Sequence, residues 1–332
     1  MKNTSQQTSE RPKIGVALSG GSTRSIAHIG VLEVFEEQGI PIDYLTACSS
    51  GAIIAGSFAC GTMQQLKQDW LEFDRKFLFH LFQINKKGQG IFNLDKAGEF
   101  ARKYTRGKRF EDVFPRLGFV AVDILTGEPI ILAMGDIVKG VAASCSVPAL
   151  FAPVPWGNKL LVDGGLFSIV PTTQAKTMGA GIVIGVDIAA TRYAFSAKFH
   201  IFRRGYNFLR NTLPVRTYLA LHGALDRLFS NSLNYVLSDE GEWFEPSQLA
   251  RPGIFGILGR AIDIANERKR VEKNIIPDCD YLISPKVKHL GKLEFKTTQE
   301  MYAEGRRAAS AAIPDIKKLL ADFEWRWKDD NA

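Results

Sequence analysis

The chain has 332 residues and lacks any run of about 18 apolar residues, so no segment is long enough to be read as a membrane-spanning helix. Cysteine is scarce. Cys48, Cys60, Cys145 and Cys279 are scattered, with no CxxC pair and no cluster of histidines nearby. That excludes a disulfide framework or a zinc motif and leaves buried, reduced thiols in a cytosolic protein as the expectation. The first dozen residues lack the apolar core of a secretory signal, and residues 1–12, rich in Ser, Thr and Gln, read as a disordered leader. Internal repeats and low-complexity linkers are absent. The turn Gly20-Gly21-Ser22-Thr23-Arg24-Ser25 lacks the second and third glycines of GxGxxG and the Gly-Lys-Ser/Thr ending of a P-loop. Asp43 lies near the distance of a ribose-binding acid, but neither nucleotide pattern is met. Acid is missing from residues 188–225 altogether.

What is present is ordinary in bulk: hydrophobic residues are 45% and charged residues 23%. The net charge of +7 favours anionic partners without separating a membrane surface from nucleic acid. The chain is organised around residues 13–61. Ile14 to Leu18 is a short apolar run, followed by the Gly20–Ser25 turn and a helical pattern from Ile26 to Gln38 that Gly39 and Pro41 end. Ile29, Leu32 and Phe35 mark its buried face, and Glu33, Glu36 and Glu37 the opposite one. A second run, Tyr44 to Cys48, leads into Ser49-Ser50-Gly51 and another apolar helix. Each turn lies at the carboxyl end of a strand and the amino end of a helix, where open α/β sheets place ligands.

Farther along, Met63 to Phe82 reads as helical and carries Trp70, Phe73, Phe77, Phe79 and Phe82, either as core packing or as the wall of an apolar pocket. Leu94, Ala97, Ala101 and Tyr104 suggest a helix. Phe119 to Val122 and Pro129 to Ala133 suggest a hairpin across Thr126-Gly127-Glu128, and Asp136 suggests the cap of a helix through Ser144. Leu160 to Val162 is a short strand ending in Asp163-Gly164-Gly165, and Ile182 to Val186 another buried strand. Alternating strands and helices imply an α/β fold with a mostly parallel sheet covered by helices on both faces. Ala250 to Lys273 looks helical, Tyr281 to Ile283 reads as a last strand, and Thr298 to Leu320 as an amphipathic helix interrupted at Pro314. The expected organisation is a leader (1–12), a core (13–190) and a C-terminal helical elaboration of the same domain (191–332).

Ser49 is the sharpest chemical candidate. A serine between a buried strand and a helix, flanked by small residues in Ala47-Cys48-Ser49-Ser50-Gly51, fits a nucleophile elbow; it also fits a plain helix cap. A serine nucleophile needs a base and an oxyanion site. Consecutive N–H groups of Gly20, Gly21 and Ser22 could supply the second. For the base, none of His28, His80, His200, His222 and His289 lies in a strand-end turn, whereas Asp163 does. A carboxylate can take the serine proton if a dry setting raises its pKa; the plainer role is that of a turn-forming Asp before two glycines.

These three pieces, in this order, resemble the patatin-like phospholipases. The family pattern is Gly-Gly-Gly-x-Arg-Gly, then Gly-x-Ser-x-Gly, then Asp-Gly-Gly or Asp-Gly-Ala. It is met here by residues 20–25, Ala47 to Gly51, and Asp163-Gly164-Gly165. Ala27-His28-Ile29-Gly30-Val31-Leu32, Gly39-Ile40-Pro41-Ile42-Asp43 and Ala143-Ser144-Cys145-Ser146-Val147-Pro148 are similar in context. The resemblance implies a patatin-like sheet and a Ser49–Asp163 dyad that hydrolyses lipid acyl esters, of phospholipid or lysolipid, without metal or cofactor. It implies an oxyanion site at Gly20, Gly21 and Ser22, with Ala47, Gly51, Gly164 and Gly165 supporting the two turns. Arg24 would orient the loop or meet a lipid phosphate, and the aromatic region from Trp70 to Phe82 would hold the acyl chain. A lipid-binding regulatory or scaffold protein and an acyltransferase using the same serine are the alternatives.

Three departures from the pattern matter: Ser22 and Ser25 stand for loop glycines and Ala47 for an elbow glycine. If the serines strain the loop, glycine at either position should keep or raise activity. Residues 188–225 carry Arg192, Lys198, Arg203, Arg204, Arg210 and Arg216 among Phe and Tyr side chains. This stretch is expected to meet an anionic membrane peripherally, at the inner face for a cytoplasmic protein; the alternative is that its aromatics pack on the domain or in a dimer contact. No nucleic-acid motif accompanies the charge, so nucleic acid is not expected as a partner.

Overall fold

The structure is a computed structural model; it describes residues 11–73, 83–84, 92–93, 95–189, 257–258, 261, 264, 276, 278–290 and 297–330. Expectations for Phe77, Phe79 and Phe82, for nearly all of 188–225 and for most of 250–273 lie outside those residues.

The order of elements is β1 (Ile14–Leu18), α1 (Ile26–Glu37), β2 (Tyr44–Cys48), α2 (Ser50–Ala59), α3 (Met63–Glu72), β3 (Gln83–Ile84), β4 (Phe92–Asn93) and α4 (Asp95–Thr105). Then follow β5 (Arg116–Asp123), β6 (Pro129–Leu132), α5 (Ile137–Ser144), β7 (Val154–Trp156), β8 (Lys159–Asp163), α6 (Thr172–Thr177), β9 (Ile182–Val186), β10 (Tyr281–Ile283) and α7 (Thr298–Asp330). Eight strands form one sheet in the order β10-β9-β1-β2-β5-β8-β7, with β6 also paired to β5. The pairs from β10 through β5 are parallel. Those made by β6, β7 and β8 are antiparallel. Every residue of β1 and β9 is buried, because helices cover both faces of the parallel part. Asp136 caps α5 as expected, accepting the Val138 N–H at 2.7 Å.

One side of β5 sets the geometry of the whole edge. Phe119 to Val122 pair with β6 on one side of the strand. On the other side β2 runs parallel until Cys48 stands opposite Val120. From the next rung onward β8 takes over antiparallel, with Asp163 opposite Ala121. Two strands therefore meet end to end along β5, one rising and one descending.

Two expectations from periodicity are corrected. The acidic face of α1 is not wholly solvated: Glu33 is 5% exposed, because α7 lies across α1. Its carboxylate accepts from Gln64 (2.8 Å), Lys67 (2.7 Å), Arg306 (3.1 Å) and the Tyr302 hydroxyl. Burial alone would raise its pKa; the hydrogen bonds from Lys67, Tyr302 and Gln64 outweigh burial and hold it below the ordinary value. The C-terminal helix also runs unbroken through Pro314. Proline removes one backbone hydrogen bond there, but Ala309, Ala312, Ile313 and Ile316 on the same stretch are buried and keep the helix seated. Backbones touch at the crossing, where a Cβ on Gly305 would lie 2.0 Å from the Ala27 carbonyl oxygen.

The aromatics at the end of α3 belong to the core. Trp70 is 6% exposed, and the Phe73 ring lies 5.9 Å from Trp70 and 5.4 Å from Phe100. Of the two readings, packing is the one the geometry fits for these two side chains.

Candidate active site

Ser49 sits between β2 and α2 with φ 52° and ψ −131°, a region that L-residues with side chains avoid at a cost of about 1–3 kcal/mol. The strain is held from several directions. The Ser49 N–H donates to Ser144 Oγ at 2.9 Å, and Ser144 Oγ donates to the Val120 carbonyl at 2.7 Å. The Ser49 carbonyl accepts the Ala52 N–H at 2.8 Å. No side chain other than hydrogen fits at Gly51, where a Cβ would lie 2.7 Å from the Ser19 carbonyl oxygen. The turn thus projects the Ser49 hydroxyl from the sheet edge, at the amino end of α2.

Asp163 ends β8 and is 3% exposed. Its Oδ1 accepts the Gly165 N–H at 2.7 Å and lies 3.9 Å from the Cys48 thiol. Its backbone N–H is held by the Ser146 carbonyl at 2.9 Å. Gly164 lets the chain turn over β5, since a Cβ there would lie 2.3 Å from the Val120 carbonyl oxygen. Burial pushes the Asp163 pKa up to about 6, with the Ser49 hydroxyl, the Gly165 N–H and the Cys48 thiol partly opposing that rise. Among the described residues Oδ2 has no partner in full hydrogen-bonding geometry, and of the three groups that favour the ionised form the Ser49 hydroxyl contributes most. A buried carboxylate with a near-neutral pKa beside a strained serine is suited to proton transfer.

The Gly20–Ser25 turn closes over the same spot. A Cβ on Gly20 would lie 3.0 Å from Ser49 Cβ and 3.7 Å from Ser49 Oγ, so this backbone lies against the nucleophile candidate. The Gly20 N–H donates to the Ile169 carbonyl at 3.2 Å, and the Gly21 N–H to Ser50 Oγ at 3.1 Å. Ser22 takes φ 59°.

The patatin-like phospholipase family model matches residues 16–176, which contain all three of these pieces. Residues 16–176 of this chain form a patatin-like phospholipase domain. An uncharacterized NTE family protein of Mycobacterium tuberculosis (strain CDC 1551 / Oshkosh) is 30% identical over 309 residues, covering 91% of this chain and 47% of that protein. The chain therefore spans about half the length of that relative. Another uncharacterized NTE family protein, of Mycobacterium bovis, is 24% identical over 332 residues, covering 92% of each. Patatin-like phospholipase domain-containing protein 6 of Mus musculus is 26% identical over 183 residues, 53% of this chain and 14% of that protein.

Within the patatin-like frame, the three departures have different consequences. Ala47 lies in β2, fully buried between Leu18 and Phe119, in ordinary strand geometry. Ser22 is strained at φ 59°, whereas Ser25 has φ −61° and is not. Arg24 is 4% exposed and points into the protein: its Nε donates to the Leu290 carbonyl at 2.8 Å, and its Nη2 to the carbonyls of Leu290 and Lys288. It ties the turn to the segment after β10. Asp43 sits at the opposite, amino edge of the sheet, paired with Arg11 at 2.6 Å and accepting the Ile14 N–H, so it serves the fold and no ribose. His28 is fully buried, with Nε2 2.8 Å from the Ser19 carbonyl oxygen and its pKa lowered to about 4 by burial; His289 is exposed near Glu300.

Sequence reading singled out neither Ser144 nor Ser146, although both lie in the stretch that resembles the family. Ser144 fixes the Ser49 backbone, and the Ser146 carbonyl fixes that of Asp163. The signal was their place two residues apart before Pro148.

Proposed function

We propose that this chain hydrolyses lipid acyl esters through an acyl-Ser49 intermediate. The observation that carries the reading is the end-to-end meeting of β2 and β8, which sets a strained serine beside a buried aspartate with a pKa of about 6. In acylation the Ser49 oxygen attacks the ester carbonyl while Asp163 accepts its proton. The tetrahedral intermediate collapses, and the alcohol leaves with the proton from Asp163. In deacylation Asp163 takes a proton from water, the hydroxide attacks the acyl carbon, and the fatty acid departs as Ser49 regains its proton. The negative oxygen of each intermediate is received by backbone N–H groups of the Gly20–Ser22 turn. Gly20 donates to the Ile169 carbonyl, a stronger acceptor than the Ser50 hydroxyl that holds the Gly21 N–H, so the proposal gives Gly21 and Ser22 the larger share.

The proposed substrate is a lipid or lysolipid ester, a reading supported by the match to the patatin-like phospholipase model. Among the described residues no helix is long and apolar enough to cross a membrane. The proposal has the substrate met at a lipid surface. The proposed contact is peripheral, through the basic residues between 188 and 225.

The test is covalent. A fluorophosphonate should label the protein once, at Ser49, with loss of p-nitrophenyl ester turnover in proportion to labelling. An adduct at another residue, or full turnover in Ser49→Ala, would remove the assignment. A protein that binds lipid vesicles but neither labels nor hydrolyses would favour the lipid-binding alternative, which the strained Ser22 makes worth testing.

A further inference from the structure

Two hydroxyls next to the site have no part in the chemistry just described. Ser50 Oγ accepts the Gly21 N–H at 3.1 Å and lies 2.6 Å from Ser25 Oγ. Ser50 is the first residue of α2, and Ser25 directly precedes α1. The pair therefore ties together the amino ends of the two helices that flank the site. The backbone they hold is the turn that lies against Ser49.

That turn needs holding. Ser22 sits at φ 59°, where a side chain is strained relative to glycine. Left alone, the backbone from Gly20 to Ser22 would relax toward an unstrained conformation and turn the N–H groups of Gly21 and Ser22 away. Ile188 blocks movement on one side: a Cβ on Gly21 would lie 2.7 Å from Ile188 Cδ1. Ser50 holds the other side through its hydrogen bond. Because Ser50 Oγ accepts from Gly21, its own proton is available to Ser25 Oγ, which fixes the rotamer of both side chains. Ser25 stands where the family pattern has glycine, so this link is a property of this chain's own sequence.

We propose that Ser50 is a positioning residue for the oxyanion turn, oriented in turn by Ser25. The proposal rests on the hydrolase reading. Ser50, the residue after Ser49, holds the Gly21 N–H on its own hydroxyl before substrate arrives. The charged oxygen formed on attack, a stronger acceptor than a hydroxyl, then draws on a donor already in place.

The test measures kcat and KM for p-nitrophenyl butyrate, the second-order rate of Ser49 phosphonylation by a fluorophosphonate, and Tm. The proteins are wild type, Ser50→Ala, Ser25→Ala, the double variant and Ser50→Thr. Ser50→Ala is expected to lower kcat and the phosphonylation rate together, by about tenfold, with KM changed by less than about twofold, since a misaimed donor weakens only the transition state. Ser25→Ala should lose less. The double variant should be no worse than Ser50→Ala, because Ser25 acts through Ser50. Ser50→Thr keeps an oxygen in place and should recover most of the rate. Wild-type rates in Ser50→Ala would overturn the proposal. So would single losses that multiply in the double variant, or a loss that tracks Tm and is not recovered by threonine. These outcomes leave the hydrolase reading standing. A wild type that neither turns over ester nor is phosphonylated at Ser49 removes that reading and this proposal with it.

Discussion

Cys48 and Asp163 are end-to-end neighbours on one side of β5, Cys48 opposite Val120 and Asp163 opposite Ala121, with Cys48 Sγ 3.9 Å from Asp163 Oδ1. The two residues are 115 positions apart in the chain. A strand rising to Ser49 and a strand descending to Asp163 bring the proposed nucleophile and the proposed base to one point without either side chain having to reach far. The backbone sets the geometry, and Ser144 and Ser146 on one short segment lock both ends.

Replacing Asp163 by asparagine tests the base. The amide keeps an oxygen for the Gly165 N–H but cannot take the Ser49 proton. Ester turnover is expected to fall by about 10²–10⁴-fold with secondary structure unchanged. Turnover within a few-fold of wild type, measured against a Ser49→Ala control, would show that another group is the base.

The same carboxyl predicts the acid limb of the pH profile. The proposed mechanism requires the ionised form, so kcat/KM for a non-ionising ester should rise with pH through about 6 and level off above it. The linked stability effect has the opposite sign. The folded-state pKa lies above the unfolded value, so the native state holds its proton more tightly, and stability falls as pH rises from about 4 to about 6. Asp163→Asn should therefore raise Tm at pH 8 and change it little at pH 4. A Tm gain of equal size at both pH values would contradict a raised pKa.

The two loop serines should respond in opposite ways to glycine. Ser22→Gly relieves a left-handed residue, so it should stabilise the protein by about 0.5–1 kcal/mol and preserve or raise kcat. Ser25→Gly relieves nothing, because Ser25 is at φ −61°, and it removes the partner of Ser50. It is expected to lower kcat a few-fold, contrary to what the glycine pattern alone suggests. Chemical denaturation and steady-state rates for the two variants decide this; matching gains in both would refute the distinction.

Gly305→Leu tests whether the C-terminal helix depends on close contact with α1. The new side chain would meet the Ala27 backbone, 2.0 Å from the position of its Cβ, and must push the helices apart. A loss of about 1–3 kcal/mol or more is expected, read as a lowered Tm. Since α7 also carries Tyr302 and Arg306 to buried Glu33, the loss should be larger in the double variant with Glu33→Ala only if the helix remains docked in the single one. An unchanged Tm in Gly305→Leu would show that the contact carries no stability.

The sequence by itself determined the local features. Short apolar runs broken by glycine gave the strands, small residues around Ser49 gave the elbow, and Asp163-Gly164-Gly165 gave a turn that only a close approach to β5 explains. Asp136 announced its helix because a cap acts within one turn. Periodicity found the buried face of α1 but not the cover over Glu33, and Pro314 did not break its helix, since what covers a helix face is decided by another part of the chain, here the packing of α1 and α7. Tertiary structure alone decided that β8 runs antiparallel and meets β2 head to head, that Arg24 turns inward to the carbonyls after β10, and that Ser25 and Ser50 touch. It also decided the pKa of Asp163, because burial is a property of everything packed around a carboxylate and not of the three residues that name its turn. Local patterns follow from steric and hydrogen-bonding preferences over a few residues; pairing between segments a hundred residues apart depends on which surfaces the whole chain can bury together.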